Sequence, residues 1–459
     1  MERHKAITDC MVREFKGEYF VFNPHKPGWW SGTRTDLDAM RLFDGTRTVE
    51  GVSRELVEKH SLPPEKAAIL AKNMLALLDR QGFLESEGAP IGAKAHDLDV
   101  AYLHLTRRCN LGCSYCYLSA GKGLEGELST DALKGVIDQV RALGGKVQGI
   151  AITGGEPMLH PDFWELCDYA AATGRNGGEV RMWLATNGTL VTEENAPHIA
   201  KRFVEVQVSL DGTEEVHDAM RGRGSYSKAL RAIRLLSAAG ARVKISATVS
   251  KKNLRDVFHV VDVAERHAIQ CIKTGILMPF GKGDRVLMLD EGDFEMFWRE
   301  MHARLTAAKI NIRVENEGTQ STFMAGTFDG AYSCGAGLDS LSIDADGSVY
   351  PCQSSHFPQF RLGGVKESPL EEIWKNSEPS KLWRNSLKIE GLADCRGCVW
   401  LRVCGGGCRM HSYAYTGKLD APSPFCSFTK TFMDEGIQAY LAGRLEKRAK
   451  KDGEGAPAP

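Results

Sequence analysis

The sequence predicts an α/β protein with three parts: an N-terminal winged-helix-like domain, a partial, TIM-like (β/α)6 barrel, and a C-terminal cysteine-rich domain. The chain has 459 residues, enough for about three domains of roughly 150 residues each. After residue 98, short apolar runs alternate with helical stretches, which is typical of a parallel sheet covered by helices. Thirteen cysteines are present, and their clustered spacings indicate metal binding or catalysis rather than disulfides.

The charge balance excludes several classes of partner. Lys and Arg number 58 and Asp and Glu number 59, so the net charge is -1. This argues against binding nucleic acid, or anchoring to a membrane, through bulk positive charge. No apolar run reaches the length of a membrane-spanning helix, and Met1–Phe20 lacks the apolar core of a signal peptide. We therefore expect a cytoplasmic protein.

Residues 1–88 are predicted to form the winged-helix-like domain. Tyr19–Phe22 is typical of a strand, and Pro63–Pro64 marks a helix start that Gly82 ends. Within that helix the apolar residues at helical spacing are Ala67, Leu70, Ala71, Met74, Leu75 and Leu78. Strands followed by three short helices favour this fold. Residues 88–97 are predicted to be a linker.

The barrel is predicted over residues 98–320. Six apolar runs predict its strands, at Val100–Leu105, Gly149–Thr153, Val180–Thr186, Val204–Leu210, Val243–Val249 and Cys271–Leu277. Helices are predicted at Thr130–Leu143, Asp162–Thr173 and Ser227–Ala239. Six units fall short of the eight in a closed barrel, so the barrel is expected to be open.

The βα alternation ends near residue 325. Cysteines, glycines and turns dominate residues 325–430, and a segment this poor in apolar periodicity needs cross-links to stay folded. A last helix is predicted at Phe432–Lys451, within a C-terminal part spanning 431–459. The tail Asp452–Pro459 is expected to be disordered.

Three cysteines follow directly on the first barrel strand. Their spacing is Cys109-x3-Cys113-x2-Cys116. Three thiolates on one loop can hold three irons of a [4Fe–4S] cluster and leave the fourth iron open. The alternatives are a chance cluster of cysteines or a zinc site, although structural zinc sites use four ligands.

This loop resembles the signature of the radical SAM superfamily. It reads Cys109-Asn-Leu-Gly-Cys113-Ser-Tyr115-Cys116, with Tyr115 as the aromatic residue before the third cysteine. The resemblance covers about residues 98–285. It implies that the open iron binds S-adenosylmethionine (SAM).

Motifs after the next strands are similar to those of the same family. They comprise Gly154, Gly155, Glu156, Asn187, Ser209, Asp211 and Arg221. The resemblance implies that the Gly-Gly-Glu turn holds the methionyl amino group, that Ser209 and Asp211 contact the ribose, and that Arg221 binds the SAM carboxylate. Taken alone, the turn could be a plain turn and Arg221 a surface ion pair. All these motifs stand at carboxyl ends of strands, where βα folds build active sites.

A second set of seven cysteines follows the barrel, at Cys334, Cys352, Cys395, Cys398, Cys404, Cys408 and Cys426. It resembles the SPASM domain of radical SAM enzymes. The alternative is a zinc ribbon, for which the two close pairs between residues 395 and 408 would supply four ligands.

By the SPASM resemblance, Cys395, Cys398, Cys404 and Cys426 hold one auxiliary [4Fe–4S] cluster. The remaining three, at Cys334, Cys352 and Cys408, hold another, which makes three clusters in the chain. Three clusters, of which only the first keeps an open iron, need 11 cysteine ligands, and the two motifs supply 10. One auxiliary cluster therefore has an open iron or a ligand such as Asp329. In anaerobic sulfatase maturases an aspartate follows the second SPASM cysteine. Gln353 stands there instead, which counts against that activity.

Residues 1–88 resemble the PqqD-like recognition element that binds leader peptides of ribosomally made natural products. Phe43–Val49 and Gly82–Leu84 carry the match. In that fold the peptide adds a strand to the sheet edge. A DNA-binding winged helix is the alternative, but residues 1–90 hold 13 Lys and Arg against 14 Asp and Glu. A merely structural domain would pack against the barrel through Trp29 and Trp30.

Together these resemblances imply a radical SAM oxidoreductase that cleaves SAM to a 5′-deoxyadenosyl radical and modifies a precursor peptide by hydrogen abstraction. The product would be a thioether or C–C cross-link, with a reductant such as flavodoxin or ferredoxin. The first alternative is a SPASM enzyme acting on a protein side chain or small molecule. The second is a non-catalytic metal-binding regulator.

Overall fold

The structure is a computed structural model that describes residues 2–25, 28–85, 98–172, 180–316 and 334–453. The predicted linker 88–97, the predicted boundary between residues 320 and 325, Asp329 and residues 454–459 lie outside the described residues.

The N-terminal part has three strands followed by three helices, the order that the sequence predicts. The strands β1 (Met11–Phe15), β2 (Glu18–Asn23) and β3 (Gly28–Thr33) form an antiparallel sheet in that order. The helices are α1 (Arg34–Leu42), α2 (Val49–His60) and α3 (Pro64–Arg80). Val21 and Trp30 face the helices and join their core. The strand β2 is buried along its whole length, so its other face must also be covered.

The six predicted barrel strands are present and parallel. They are β4 (Leu98–His104), β5 (Gly144–Thr153), β6 (Arg181–Thr186), β7 (Glu205–Ser209), β8 (Val243–Val249) and β9 (Cys271–Ile276). The second strand begins five residues earlier than predicted. The helices that cover them are α4 (Thr130–Leu143), α5 (Phe163–Ala172), α6 (Ala196–Arg202), α7 (Glu214–Arg221), α8 (Ser225–Ala238), α9 (His259–Arg266) and α10 (Glu291–Ala307).

Four further strands extend this sheet at its two edges. The strand β10 (Arg313–Asn316) pairs parallel to β9, and β11 (Ser340–Ile343) pairs parallel to β4. The strands β12 (Ser348–Tyr350) and β13 (Gly363–Gly364) then add as an antiparallel hairpin. In the described part of the chain β10 and β13 do not pair with each other. The barrel is therefore open, as predicted, but its sheet continues into the cysteine-rich region.

Charged side chains close the amino-terminal end of the barrel. Lys244 Nζ lies 2.5 Å from Glu205 Oε1 and 2.6 Å from Glu315 Oε2, and Arg313 Nη2 lies 2.6 Å from Glu315 Oε1. A partly buried, mutually paired cluster of this kind is stable only because each charge has a partner. The opposite, carboxyl end of the strands is thereby left as the open mouth.

The cysteine-rich region contains more helix than the sequence predicts. Its helices are α11 (Leu370–Lys375), α12 (Glu378–Ser386), α13 (Leu401–Cys404), α14 (Arg409–Thr416) and α15 (Cys426–Gly453). The predicted last helix was wrong at its start, which lies six residues earlier. The helix therefore crosses the predicted boundary between 430 and 431. It also includes Asp452 and Gly453, which were expected to be disordered. No described helix is long and apolar enough to cross a membrane.

The second face of the N-terminal sheet packs on α15 and on the loop before α13. Phe22 contacts Trp400 at 5.3 Å between ring centroids, and Trp29 contacts Tyr440 at 5.3 Å. Trp30 lies in the domain's own core. The alternative of a merely structural domain placed Trp29 and Trp30 against the barrel. Instead Trp29 packs on the C-terminal helix, which is far away in sequence, and Trp30 faces the helices of its own domain.

Candidate active site

A cavity of about 250 Å³ opens at the carboxyl ends of the barrel strands. Cys109, Cys113 and Cys116 all line it, on the loop that follows β4. Backbone N–H groups reach two of the sulfurs: Leu111 N lies 3.5 Å from Cys109 Sγ and Ala120 N lies 3.4 Å from Cys116 Sγ. The structure thus brings the three predicted ligands to one wall.

The chemistry of these thiols fits an iron–sulfur cluster. Burial raises the pKa of both Cys109 and Cys113, so a bound metal is needed to hold them as thiolates. Within the described residues no three His, Cys, Asp or Glu side chains converge on a single-ion site. A cubane cluster does not need such convergence, because each thiolate binds a different iron.

The Gly-Gly-Glu turn lies directly against the start of the cysteine loop. Gly155 N donates to Thr106 O and Glu156 N donates to Arg108 O, both at 2.8 Å. Gly154 has φ +139°, and a side chain there would stand 2.3 Å from Thr106 O. Glycine is required because the backbone approaches so closely. Gly154 and Gly155 both line the cavity.

Glu156 is completely buried, and its carboxylate is used within the protein. It accepts hydrogen bonds from Thr186 Oγ1 and from Asn187 N, each at 2.8 Å. Burial raises the pKa of Glu156 to about 7, and these bonds oppose the rise. Asn187 Nδ2 in turn donates to Asn110 Oδ1 at 2.9 Å. Glu156 therefore ties the end of β6 to the turn after β5.

Asp211 is the centre of a second buried network. Arg221 donates from Nε to Asp211 Oδ2 at 2.6 Å and from Nη2 to Oδ1 at 3.1 Å, and Tyr115 Oη donates to Oδ2. Thr248 N donates to Oδ1 at 3.0 Å. Burial alone would raise the pKa of Asp211, but Arg221 outweighs it and lowers that pKa. His217 Nδ1 accepts from Asp211 N at 3.1 Å.

This network uses two residues that were predicted to contact SAM, Asp211 and Arg221, to bind each other. The Asp211 side chain is completely buried beneath the cavity wall and its carboxylate is occupied. Arg221, Tyr115 and Ser209 do line the cavity. The Arg221 guanidinium also lies over the Tyr115 ring, 5.4 Å from its centroid. Tyr115 and Arg221, both predicted to contact SAM, are thus joined to each other.

Several cavity residues were not singled out from the sequence. They are inward-facing side chains of the later strands and the segment after β9, and they include Gln207, Ser246, Thr248, Lys273, Met278 and Phe280. The strand residues among them could have been found from the sequence, because every second side chain along a strand lies on the same face. Gln353, noted where the sulfatase maturases have aspartate, lines the same cavity with Ser354.

A buried polar network joins β4 to the cysteine-rich region. Ser342 Oγ lies 3.1 Å from His104 Nε2 and 2.8 Å from His356 Nε2. Asp344 binds both His356, at 3.2 Å, and Arg107. Burial would raise the pKa of Asp344, but His356 and Arg107 lower it strongly. This network anchors Arg107, two residues before Cys109, to the strand that follows Cys334.

The four cysteines assigned to one auxiliary cluster line a single small cavity. They are Cys395, Cys398, Cys404 and Cys426. Burial raises the pKa of Cys395 and of Cys426. Cys408, which the zinc-ribbon alternative needs, is absent from the described lining of this cavity. The grouping matches a cluster held by the loop before α13, the last residue of α13 and the first residue of α15.

The remaining three cysteines approach one another from separate segments. The Arg409 backbone N–H, next to Cys408, donates to the thiol of Cys334. Gly337 N donates to Pro351 O at 3.0 Å, which places the chain after Cys334 against the chain before Cys352. All three sulfur-bearing side chains pack on the barrel core. Cys167 and Cys271 are buried and Cys10 half-buried, as ordinary core residues are.

Comparison with known proteins identifies two domains and several relatives. Residues 103–264 match the radical SAM superfamily, and residues 334–399 match the SPASM iron–sulfur cluster-binding domain. Mycofactocin maturase of Mycobacterium tuberculosis (strain CDC 1551 / Oshkosh) is 35% identical over 339 residues, covering 70% of this chain and 81% of that protein. An AdoMet-dependent heme synthase of Methanosarcina barkeri (strain Fusaro / DSM 804) is 29% identical over 343 residues, covering 71% and 95%.

Among solved structures, Streptococcus suis SuiB bound to precursor peptide SuiA has a similar fold. The TM-score is 0.57 at 15% identity, and the match covers 91% of this chain and 98% of that one. At this identity the likeness is one of fold alone. It extends over most of the chain.

Proposed function

The chain belongs to the radical SAM superfamily of enzymes and carries a SPASM domain after its core, and from this premise we propose that it modifies a ribosomally synthesised precursor peptide. The observation that carries the proposal is the N-terminal sheet, which is held on the cysteine-rich region and ends in an open edge strand. The similarity to mycofactocin maturase supports the proposal. The product would be a thioether or C–C cross-link.

Each part of the cavity has a task in this function. Cys109, Cys113 and Cys116 would hold the cluster, which would supply the electron for reductive cleavage of SAM to a 5′-deoxyadenosyl radical. The Gly154–Gly155 backbone and Arg221 bind the two ends of the SAM amino-acid group, and Ser209 contacts the ribose. Glu156 and Asp211 keep these groups in place through their buried hydrogen bonds. A bound substrate filling the open mouth would exclude water from the reacting hydrogen.

The auxiliary cysteines are proposed to hold two further [4Fe–4S] clusters that accept an electron as the cross-link forms. The four that line one cavity, at Cys395, Cys398, Cys404 and Cys426, provide a complete ligand set. Cys334, Cys352 and Cys408 provide three ligands. The SAM-binding cluster on the loop after β4 would receive its electron from a reductant such as flavodoxin or ferredoxin.

Leader recognition is proposed for the edge strand β3 and the helix α3, within residues 1–88. In the described part of the chain no strand pairs with the outer edge of β3, which suits addition of a peptide strand. The end of α3 lies beside the start of β3: Asn23 of β2, in register with Gly28, donates from Nδ2 to Gly82 O at 2.8 Å. On α3, Ile69 is 59% exposed, an apolar contact available to a leader.

Turnover of a peptide tests the proposal directly. The anaerobically reconstituted enzyme is incubated with SAM, dithionite and the peptide encoded by a short reading frame beside its gene. Mass spectrometry should show loss of two hydrogen atoms per cross-link. Ile69→Lys should weaken leader binding, whereas Val286→Lys, a change at another exposed apolar residue, should not. An unmodified peptide, with SAM cleaved normally, would contradict the proposal.

A second candidate is a tetrapyrrole or another small molecule. The observation that favours it is the heme synthase relative, of which this chain covers 95%. That match spans 71% of this chain and the maturase match 70%, so coverage does not separate the two candidates. Incubation with an iron porphyrin in place of the peptide distinguishes the two.

A further inference from the structure

Lys273 occupies a distinct position in the cavity wall. It lies on β9, half-buried, and lines the cavity. Across the sheet it is in register with Ser246 on β8, and Ser246 is in register with Ser209 on β7. The three side chains therefore form one row, with about 4.8 Å between neighbouring strands. Ser209 is the residue of this row that is assigned to SAM.

The charges around the cavity leave Lys273 as a surplus cation. Among the described residues that line it, Arg221 and Lys273 are the two cations, and none is Asp, Glu or His. Arg221 is paired with Asp211. Lys273 makes no ion pair or hydrogen bond to any residue in the described part of the chain. Glu315, its register partner on β10, feels the charge of Lys273, but its two carboxylate oxygens are paired with Lys244 and Arg313.

An ammonium in such a cavity is stable while water fills the space. When a bound molecule displaces that water, an unmatched charge becomes costly unless the molecule brings an opposite charge. SAM has one carboxylate, for which Arg221 is the candidate. We propose that Lys273 binds a carboxylate of the substrate, either a peptide C-terminus or an Asp or Glu side chain. This rests on the proposed function, since it takes the cavity as the substrate site.

The neighbouring residues suit a carboxylate. Ser246, beside Lys273 in the row, offers a hydroxyl that can donate to the second carboxylate oxygen. Gln353 and Ser354 reach the same cavity from the cysteine-rich region and are uncharged. Lys273 thus selects which substrate segment enters, and it holds that segment beside the SAM site, in the same row as Ser209.

The experiment compares Lys273→Met and Lys273→Arg with wild-type enzyme. Lys228→Met, an exposed lysine on α8, is the matched control. The probes are the full-length peptide from the neighbouring reading frame, the same peptide with its core carboxylates converted to amides, and SAM. Peptide KM is measured by mass spectrometry and SAM affinity by equilibrium dialysis, both under anaerobic conditions.

Loss of a charge-assisted hydrogen bond predicts a KM about tenfold higher or more for Lys273→Met on the carboxylate peptide. Lys273→Arg should recover most of this, and wild type and Lys273→Met should be alike on the amide peptide. An equal KM on the carboxylate peptide overturns the proposal. A tenfold loss of SAM affinity in Lys273→Met also overturns it, because the carboxylate would then be that of SAM.

Failure of the proposed function gives a different result, in which wild-type enzyme leaves the peptide unmodified. Binding of iron coproporphyrin, a tetrapyrrole with propionate side chains, is then followed by absorbance. Weaker binding to Lys273→Met than to wild type and to Lys228→Met supports carboxylate binding with another substrate. Equal binding by all three overturns it.

Discussion

Arg221 and Asp211 form a two-pronged ion pair, with Nε to Oδ2 at 2.6 Å and Nη2 to Oδ1 at 3.1 Å. The Asp211 side chain is completely buried, and that of Arg221 is 11% exposed. The pair joins the end of β7 to the end of α7. It therefore holds in place the cation that is assigned to the SAM carboxylate.

Removing one partner of this pair should be strongly destabilising. Arg221→Gln leaves the Asp211 carboxylate buried without its cation, at a cost of about 3–5 kcal/mol. Adding Asp211→Asn to that variant should restore part of the loss, because the orphaned charge disappears. Denaturant unfolding of both single variants and the double variant measures the coupling. Additive effects within about 0.5 kcal/mol would contradict it.

Glu156→Ala should weaken SAM binding, although its carboxylate is not on the cavity surface. The change leaves the Thr186 hydroxyl and the Asn187 N–H without acceptors, at about 1–3 kcal/mol for each buried group. The turn that carries Gly154 and Gly155 would then shift. Equilibrium dialysis of SAM measures the loss, with exposed Glu125→Ala as the control. Unchanged SAM affinity in Glu156→Ala would count against the assigned turn.

Iron analysis tests the three clusters. The reconstituted enzyme should hold about 12 irons per chain, and the Cys109→Ala, Cys113→Ala, Cys116→Ala triple variant about four fewer. That variant should also lose SAM cleavage, because it has no iron to bind SAM. Cys10→Ala, away from both cysteine cavities, should retain all the iron. A total of about four irons with none lost in the triple variant, or bound zinc, would refute the assignment.

Stability should fall in mild acid because of His217. Burial lowers the pKa of His217 from 6.5 to about 4, so the unfolded chain takes up a proton first as the pH falls. The stabilisation is complete above pH 6.5 and is lost as the pH falls from 6.5 to 4. The loss amounts to about 3 kcal/mol. His217→Gln keeps an acceptor for Asp211 N but cannot take up this proton. Its thermal unfolding temperature should therefore fall less than that of wild type between pH 6.5 and 4, and an equal fall in both proteins would contradict the prediction.

Tyr440→Ala should loosen the N-terminal domain from the C-terminal helix. The change removes the edge contacts to Trp29 and Phe20 and the hydrogen bond between the Tyr440 and Ser31 hydroxyls, whose oxygens are 3.1 Å apart. Hydrogen exchange in β1 and β2 should rise. Tyr440→Phe, which removes only the hydroxyl, should cost about 1 kcal/mol and leave exchange nearly unchanged. Equal exchange in both variants would contradict the packing described above.

The N-terminal domain covers apolar side chains of the C-terminal region. Deleting residues 1–88 would uncover an apolar surface on Trp400, Met433, Ile437 and Leu441. Such an exposed patch favours aggregation. Point changes at the edge strand and on α3 therefore test leader binding more cleanly than truncation does.

The family and the barrel could be predicted from the sequence. The expectations of a radical SAM enzyme and of a SPASM domain are confirmed by the matches over 103–264 and 334–399. Six strands were located because apolar runs between helices are a local pattern. Cysteine spacing is also local, since three ligands to one cluster lie on one loop. These features need no knowledge of which distant segments meet.

What only the tertiary structure decided depends on contacts between distant segments. Buried parallel strands are apolar on both faces, so the sequence does not show that Lys273 faces the cavity or that Asp211 is paired with Arg221. The strand β11 pairs with β4 across some 240 residues, and Trp400 meets Phe22 from the far end of the chain. Local patterns identify the six barrel strands and the clustered cysteines. Packing of the whole chain determines which side chains are aimed into the cavity and which are used to hold it together.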